Sequence, residues 1–351
     1  MEDFDALLRQ YDYDFPPEAV ALEPASPRDS ARLLVYDPDS GRVDFDTYRN
    51  LFRHLPPRCC LVFNQTRVLP ARIEVTKSSG GRARLLFLHD LDAGTFAALS
   101  DRKLKEGEVV RVGSVKLAVV AAGAGEYQLG LSDGLTSAEL FARYGRMPLP
   151  PYLKKTPLRE SEIRRKYQTV FARETGSVAA PTASLHFTPR LLKSLRQAGH
   201  EIVFVTLHVN LGTFSPLQPE QVEAGRLHEE VYEIDAAAAR IIERAKSDGR
   251  PVIAVGTTVV RTLESAAVRN GGKSLAGHGR TDLFIRPGYK FRVVDGLITN
   301  FHVPKSSLMM LVAALVGREK LLDLYARAIA AGFRIFSFGD GMLVRPRRTS
   351  T

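Results

Sequence analysis

The stretch Ala179–Phe214, AAPTASLHFTPRLLKSLRQAGHEIVFVTLHVNLGTF, decides the fold. Thr188 is a helix N-cap, and Pro189 suits the first helical turn, where its missing N–H would lack a partner anyway. Leu191, Leu192 and Leu195 recur on one face, and Gly199 supplies the stop. Glu201–Val209 then reads as a strand, mostly β-branched and aromatic and apolar on both faces, which predicts burial within a sheet. Each end of this unit carries a histidine beside small polar residues: Ser184 and His186 before the helix, His208 and Thr213 after the strand. Ligands of open α/β sheets bind beyond the carboxyl ends of strands, and the Asn210–Gly212–Thr213 turn is such an end.

Toward the C-terminus, strands and helices continue to alternate. Asp235 caps a helix running to about Ser247, and Val252–Val255 is a strand. The turn Gly256–Thr257–Thr258 opens a helix over Val259–Val268, followed by a Gly-rich loop from Arg269 to Arg280. A strand over Val293–Thr299 leads to the polar NFHVPKSS, and Ser306 caps an apolar helix to Val316. A further helix, Lys320–Ala331, precedes a strand over Arg334–Phe338 and a GDG turn. Toward the N-terminus, Val62–Ile73 is a strand broken by the polar Asn64–Gln65–Thr66–Arg67.

Between about Ala71 and Gly134 helical periodicity is absent. Short alternating runs such as RARLLFL, GEVVRV and SVKLAVV are separated by turn clusters, which predicts a small all-β barrel. A short helix, Ser137–Tyr144, follows, and Leu153–Lys166 reads as an exposed polar linker. The expected fold class is α/β: a mixed sheet with flanking helices, interrupted by the inserted barrel. Residues 1–70 and 150–351 form the discontinuous α/β domain and 71–149 the insert.

Composition narrows the function classes. The 351 residues carry 44% hydrophobic and 25% charged side chains, an ordinary soluble balance. No apolar run approaches the ~18–20 residues of a membrane span, and no secretory signal is visible. Cys59 and Cys60 are adjacent and give no disulfide framework, which fits a cytoplasmic setting. No Cys/His spacing suggests zinc. The net charge of +10, from 49 Lys plus Arg against 39 Asp plus Glu, suits an anionic partner such as nucleic acid.

Several long blocks carry a family likeness. AAPTASLHFT, VIAVGTTVVRTLES, TDLFIRPGYKFRVVDGLITNFHVPKSS and FRIFSFGDGM, in that order and starting from DYDFPPEAVALEP, resemble the S-adenosylmethionine:tRNA ribosyltransferase-isomerase family of queuosine biosynthesis. The resemblance implies an α/β domain interrupted by a β-barrel. It implies transfer of the ribosyl part of S-adenosylmethionine to 7-aminomethyl-7-deazaguanine at the tRNA wobble position, giving epoxyqueuosine, adenine and methionine. It implies no metal and no permanently bound cofactor. The partners expected are that tRNA and S-adenosylmethionine, with no membrane, and the chain is expected to act as a monomer. Two positions depart from the family pattern: Asn210 stands where members have glycine, and LHEE, Leu227–Glu230, stands where they have MHSE.

This chemistry needs a base for the C5′ proton next to the sulfonium, and histidine suits that work near neutral pH. His208, at the end of the buried strand, is the first choice; His186 and the His228/Glu230 pair are the others. His302, in TNFHVP, suits lining the site or structure equally. Each has an ordinary alternative as a hydrogen-bonded core residue. For S-adenosylmethionine the candidates are Gly256, Thr257 and Thr258, at a helix N-terminus that attracts anions, with Arg261, Asp282 and Arg286. Against this, the turn reads equally as an ordinary capped βα turn, Arg261 as the partner of Glu264 at i+3, and Asp282 and Arg286 as one solvated strand face. For tRNA phosphates the candidates are Arg67, Arg72, Arg164, Arg165 and Lys305. The rival functions are an S-adenosylmethionine-dependent tRNA methyltransferase, disfavoured by the lack of an early Gly-rich loop after a strand, and a non-catalytic tRNA-binding module, disfavoured by the many His, Asp and Glu residues at strand ends.

Overall fold

The structure, a computed structural model, describes residues 4–92, 94–123, 125–132, 134–210, 216–273 and 275–347. Gly212 and Thr213 lie outside the described residues. The strands are β1 (Arg32–Tyr36), β2 (Val43–Thr47), β3 (Cys60–Asn64), β4 (Thr66–Val68), β5 (Arg72–Lys77), β6 (Arg82–Asp90), β7 (Thr95–Ser100), β8 (Val109–Val112), β9 (Val115–Ala122), β10 (Glu126–Leu131), β11 (Glu174–Ser177), β12 (Glu201–His208), β13 (Arg226–Ile234), β14 (Val252–Val255), β15 (Gly277–Leu283), β16 (Gly296–Asn300) and β17 (Gly341–Val344). The helices are α1 (Phe4–Arg9), α2 (Ser137–Tyr144), α3 (Glu160–Lys166), α4 (Pro189–Gln197), α5 (Pro219–Ala224), α6 (Ala236–Ser247), α7 (Thr257–Arg269), α8 (Ser307–Val316) and α9 (Arg318–Ala330).

A nine-stranded mixed sheet runs in the order β15-β13-β12-β3-β14-β16-β17-β1-β2. Its middle strands β12, β3, β14 and β16 are parallel to one another. They read as near-continuous apolar runs because both faces are covered. Alternation divides them: Cys60 and Val62 face the core under α6–α9, while Leu61 and Phe63 face α4 and the turn holding Tyr48 and Leu51. Strands β5–β10 close into a six-stranded barrel with its own apolar interior. The barrel lies in sequence between β4 and β11, which pair with each other in parallel.

Two capping signals hold, and a third does not: Ser306 sits at the N-cap of α8, but its hydroxyl donates to the Val303 carbonyl at 2.7 Å instead of accepting from a helix amide. Thr188 accepts a hydrogen bond from the Leu191 amide at 3.1 Å, and Asp235 accepts one from Ala238 at 2.7 Å. Three expectations are corrected. Leu153–Lys166 is not a linker throughout, because Glu160–Lys166 forms α3 and buries Ile163. The Gly-rich loop ends early: Gly277–Arg280 belongs to β15, where a Cβ on Gly279 would approach the Tyr232 ring to 2.6 Å. Arg334–Phe338 is not a strand but a turn. The Asp340 carboxylate closes it by accepting from the Arg334 amide at 2.8 Å and from the Arg32 amide at 2.8 Å, and the strand follows at Gly341–Val344.

The four parallel strands end together at His208, Asn64, Val255 and Asn300. Asn64 fastens this edge. Its side-chain amide donates to the Leu207 carbonyl at 2.9 Å and to the Thr258 hydroxyl at 3.3 Å, and its carbonyl accepts from the Leu207 and Thr66 amides, both at 3.1 Å. The side chain is fully buried. Asn64→Leu, which keeps the branched outline but no polar atom, strands buried backbone groups of two strands and is expected to cost about 3 kcal/mol or more, at roughly 1–3 kcal/mol per unsatisfied group. Urea unfolding measures this; a loss under about 0.5 kcal/mol would remove Asn64 from its place as the fastening of the edge.

Candidate active site

Beyond the carboxyl edge lie two cavities, one on each side of the strand pair β12–β13. The pleat separates them. His208 lies directly opposite Val231 in the antiparallel register, so His208, Val231 and Glu229 project to one face, and His228 and Glu230 to the other. The first cavity, about 460 Å³, is lined by Val209, His228, Glu230, Gly256, Thr257, Thr258, Arg261, Asn300, His302 and Lys305, with apolar walls that include Leu283, Ile285 and Leu311. The second, about 580 Å³, opens between the sheet and the barrel and holds His208, Asn210, Glu229 and Arg280 together with Phe87, His89, Asp90 and Phe141.

In the first cavity Gly256 adopts φ +101°, which a side chain rarely tolerates, and starts α7 there. Thr257 and Thr258, the first residues of α7, line the cavity, at the helix end whose first amides have no partner within the helix. Arg261 does not pair with Glu264. It crosses to the Glu230 carboxylate and also donates to the carbonyls of Thr281 at 3.2 Å and Leu283 at 3.3 Å. Both charges are nearly inaccessible, Arg261 at 7% and Glu230 at 3%. Glu230 also accepts from the Asn210 amide at 3.2 Å. Glu264 turns away, fully buried, and accepts from the amides of Arg292, Val293 and Val294 and from the Tyr289 hydroxyl. Because α7 is buried nearly all round, two residues that would pair on an exposed helix each find a separate tertiary partner.

The histidines take different places. His186 lines neither cavity: it is stacked on Tyr48 with ring centroids 4.3 Å apart, and its Nε2 lies 3.4 Å from the Asn300 amide. Burial, then the nearby Arg334 and Arg28, push its pKa down to about 3, so it stays neutral. His302 lines the first cavity, with Nε2 3.2 Å from the Thr299 hydroxyl, and burial lowers it to about 4. His208 Nδ1 lies 2.9 Å from the Thr66 hydroxyl. Its ring rests on Gly176, where a Cβ would come within 2.8 Å. Burial holds its pKa below the ordinary histidine value, against the opposing influence of Glu174 and Glu233. His228 is exposed at the mouth of the first cavity.

Other candidates are dispersed. Asp282 lines neither cavity and pairs with Arg226 at 3.7 Å. Arg286 is exposed and lies beyond the end of β15, so the two do not share a strand face. Arg67 is exposed and donates to the Ala172 carbonyl at 2.7 Å. Arg72 is half-buried on the barrel strand β5, and burial, then Arg84, lower its pKa. Arg164 is engaged by the Gly145 carbonyl and by Glu160, tying α3 to the end of α2, while Arg165 stays exposed. Lys305 lines the first cavity and pairs with Asp12 at 2.8 Å. Sequence reading missed Asn300 and Asp90 as cavity residues. The polar break at NFHVPKSS signalled the first, and nothing local signalled the second.

Comparison with known proteins agrees with this architecture. The profile of the family described as queuosine biosynthesis protein matches residues 8–344. The chain belongs to that family. It is 46% identical over 340 residues to the S-adenosylmethionine:tRNA ribosyltransferase-isomerase of Heliobacterium modesticaldum, covering 95% of this chain and 98% of that one. It is 45% identical over 343 residues to the protein of the same name from Desulforamulus reducens, covering 96% and 99%. The crystal structure of S-adenosylmethionine tRNA ribosyltransferase from Thermotoga maritima superposes with a TM-score of 0.56 at 30% identity, over 95% of this chain and 99% of that one. The family's combination of a mixed sheet with flanking helices and a closed barrel is therefore this chain's fold.

The buried Arg261–Glu230 pair makes a sharp test. Removing one partner of a buried ion pair leaves an uncompensated charge and costs about 3–5 kcal/mol, whereas removing both is far milder. Arg261→Met should therefore be the most destabilised variant, and adding Glu230→Gln should recover much of the loss in urea unfolding. Additive losses in the double variant would contradict the pairing.

Proposed function

We propose that the chain is a tRNA-modifying transferase that moves and isomerises the ribosyl part of S-adenosylmethionine onto the aminomethyl group of 7-aminomethyl-7-deazaguanine at the tRNA wobble position. The products are epoxyqueuosine-tRNA, adenine and methionine. The observation that carries this reading is the near full-length likeness, at 46% identity, to a protein of that activity.

The following roles are proposed from the geometry. S-adenosylmethionine is assigned to the first cavity, with its methionine carboxylate toward the amides and hydroxyls of Gly256, Thr257 and Thr258. The Arg261–Glu230 pair stiffens the wall behind it. His186 acts through Asn300, which lines the cavity, and is a positioning residue rather than a proton carrier. The sulfonium acidifies the adjacent C5′ protons. His228, on the face of β13 that lines this cavity, is placed to take one. His208 stands at the same strand end on the opposite face. Arg67, Arg72, Arg164, Arg165 and Lys305 are assigned to tRNA phosphates; of these Arg67, Arg164 and Lys305 also make contacts within the protein. Asp282 and Arg286 are left to the rim.

Residues 1–70 and 150–351 are taken as the catalytic unit and 71–149 as its insert. No helix among the described residues is long and apolar enough to cross a membrane. We place the enzyme in the cytoplasm as a monomer that needs no metal.

Purified protein with S-adenosylmethionine and tRNA carrying 7-aminomethyl-7-deazaguanine should release adenine and methionine and yield a heavier tRNA, with EDTA present. Mass spectrometry decides it: a tRNA heavier by one methyl group would instead make the chain a methyltransferase. Affinity for tRNA should also fall at least about tenfold between 50 and 200 mM salt, through counterion release. A flat salt response would refute a phosphate-dominated interface.

A further inference from the structure

Two substrates must meet in this reaction, and the first cavity accounts for one. The second cavity shares its rim. Val209 lines the first and its neighbours His208 and Asn210 the second; Glu230 lines the first and its neighbour Glu229 the second. Ligands in the two cavities therefore approach each other around one strand end. At about 580 Å³ the second cavity is within the range of small-ligand sites.

Its lining differs in kind from that of the first. Phe87, Phe141 and Leu69 supply apolar surface suited to a flat heterocycle. A bulge between Phe87 and His89 breaks the strand alternation, so Phe87, Leu88, His89 and Asp90 all reach the cavity from one barrel strand. Glu229 is paired with Arg280 at 2.6 Å. Asp90 is exposed and has no ion pair among the described residues. His208 is fixed from behind by the Thr66 hydroxyl on Nδ1 and by the Gly176 backbone against its ring, while Nε2 has no partner among the described residues.

We propose that the second cavity receives the aminomethylated base of the tRNA, with Asp90 holding its ammonium group and His208 accepting the ammonium proton. This rests on the ribosyl transfer proposed above and assigns the tRNA side of it. An alkylammonium has no lone pair and cannot attack. Transfer of one N–H proton to His208 Nε2 leaves the electron pair on nitrogen and turns the imidazole into its cation, so charge and atoms balance. A half-buried imidazole starts neutral, as this step requires. Reaching the cavity demands that the base leave its stack, as for other enzymes that do chemistry on a base.

Steady-state kinetics test the assignment, using tRNA with 7-aminomethyl-7-deazaguanine as substrate and the same tRNA with unmodified guanine as competitive inhibitor. Asp90→Asn should raise KM for the substrate tRNA about 10- to 100-fold, the weight of one charge-assisted hydrogen bond. The inhibition constant of the guanine tRNA and KM for S-adenosylmethionine should stay as in the wild type, and Asp90→Glu should restore part of the loss. His208→Gln should lower kcat about 10²–10⁴-fold with KM for S-adenosylmethionine unchanged. Equal weakening of both tRNAs in Asp90→Asn, no change in either, or an unchanged kcat in His208→Gln overturns the proposal. If the wild type itself forms no epoxyqueuosine, it is the ribosyl transfer reading that has failed.

Discussion

The carboxyl edge of the sheet depends on one buried amide. Asn64 ends a strand apolar on both faces, and its side chain offers two donors and two acceptor sites where the sheet ladder stops. It uses them on the Leu207 N–H and carbonyl, the Thr66 N–H and the Thr258 hydroxyl. One side chain thereby sets three things: the position of β12, the turn of the chain toward the barrel, and the first turn of α7. A buried polar group that satisfies all its neighbours is worth more in specificity than in net energy.

With that edge fixed, the period of two along β12 and β13 divides the chemistry. The adjacent carboxylates Glu229 and Glu230 project to opposite faces. Glu230 meets Arg261 in the interior beside the first cavity, and Glu229 meets Arg280 at the mouth of the second. Glu229, one of the two departures expected from the resemblance, carries its charge on the barrel side, away from the Gly256–Arg261 segment. Asn210, the other departure, joins the two: its backbone amide donates to Glu230 and its side chain to the Glu229 carbonyl. It thus holds the end of β12 onto β13 beside both cavities.

The interior carries more charge than packing alone needs. Arg261 and Glu230 form a pair with further hydrogen bonds, and Glu264 is held by three backbone amides and a phenol. Desolvating such groups costs free energy that the pairing only offsets. What they give is geometry. Arg261 grips the carbonyls of β15 from inside α7, and Glu264 grips the loop that follows β15, so cavity wall and helix N-terminus are set as one rigid piece.

Much of this was legible in the sequence because it is local. Thr188 and Asp235 announce helix starts through their own side chains, the apolar run Glu201–Val209 announces a buried strand, and the alternation between Ala71 and Gly134 announces the barrel. That His208 and Gly256–Thr258 lie at strand ends was legible for the same reason. Partnership was not. The ordinary alternative for Arg261, a pair with Glu264 one turn along its own helix, does not form; Arg261 reaches a strand 31 residues away in sequence. His200, in the connection between α4 and β12, is buried with Nδ1 3.1 Å from the Cys59 sulfur, a partner 141 residues away. His186 and His208 were both candidate bases, but one is sealed under Tyr48 while the other opens on a cavity. Asp90 sits in a barrel strand with no local mark, and only the docking of barrel against sheet brings it to the cavity that His208 also lines. Sequence determines elements because hydrogen bonds and side-chain periodicity act over a few residues. Which charges meet, and which histidine faces open space, depends on strand order and on the packing of distant elements, and that is settled only when the chain is folded.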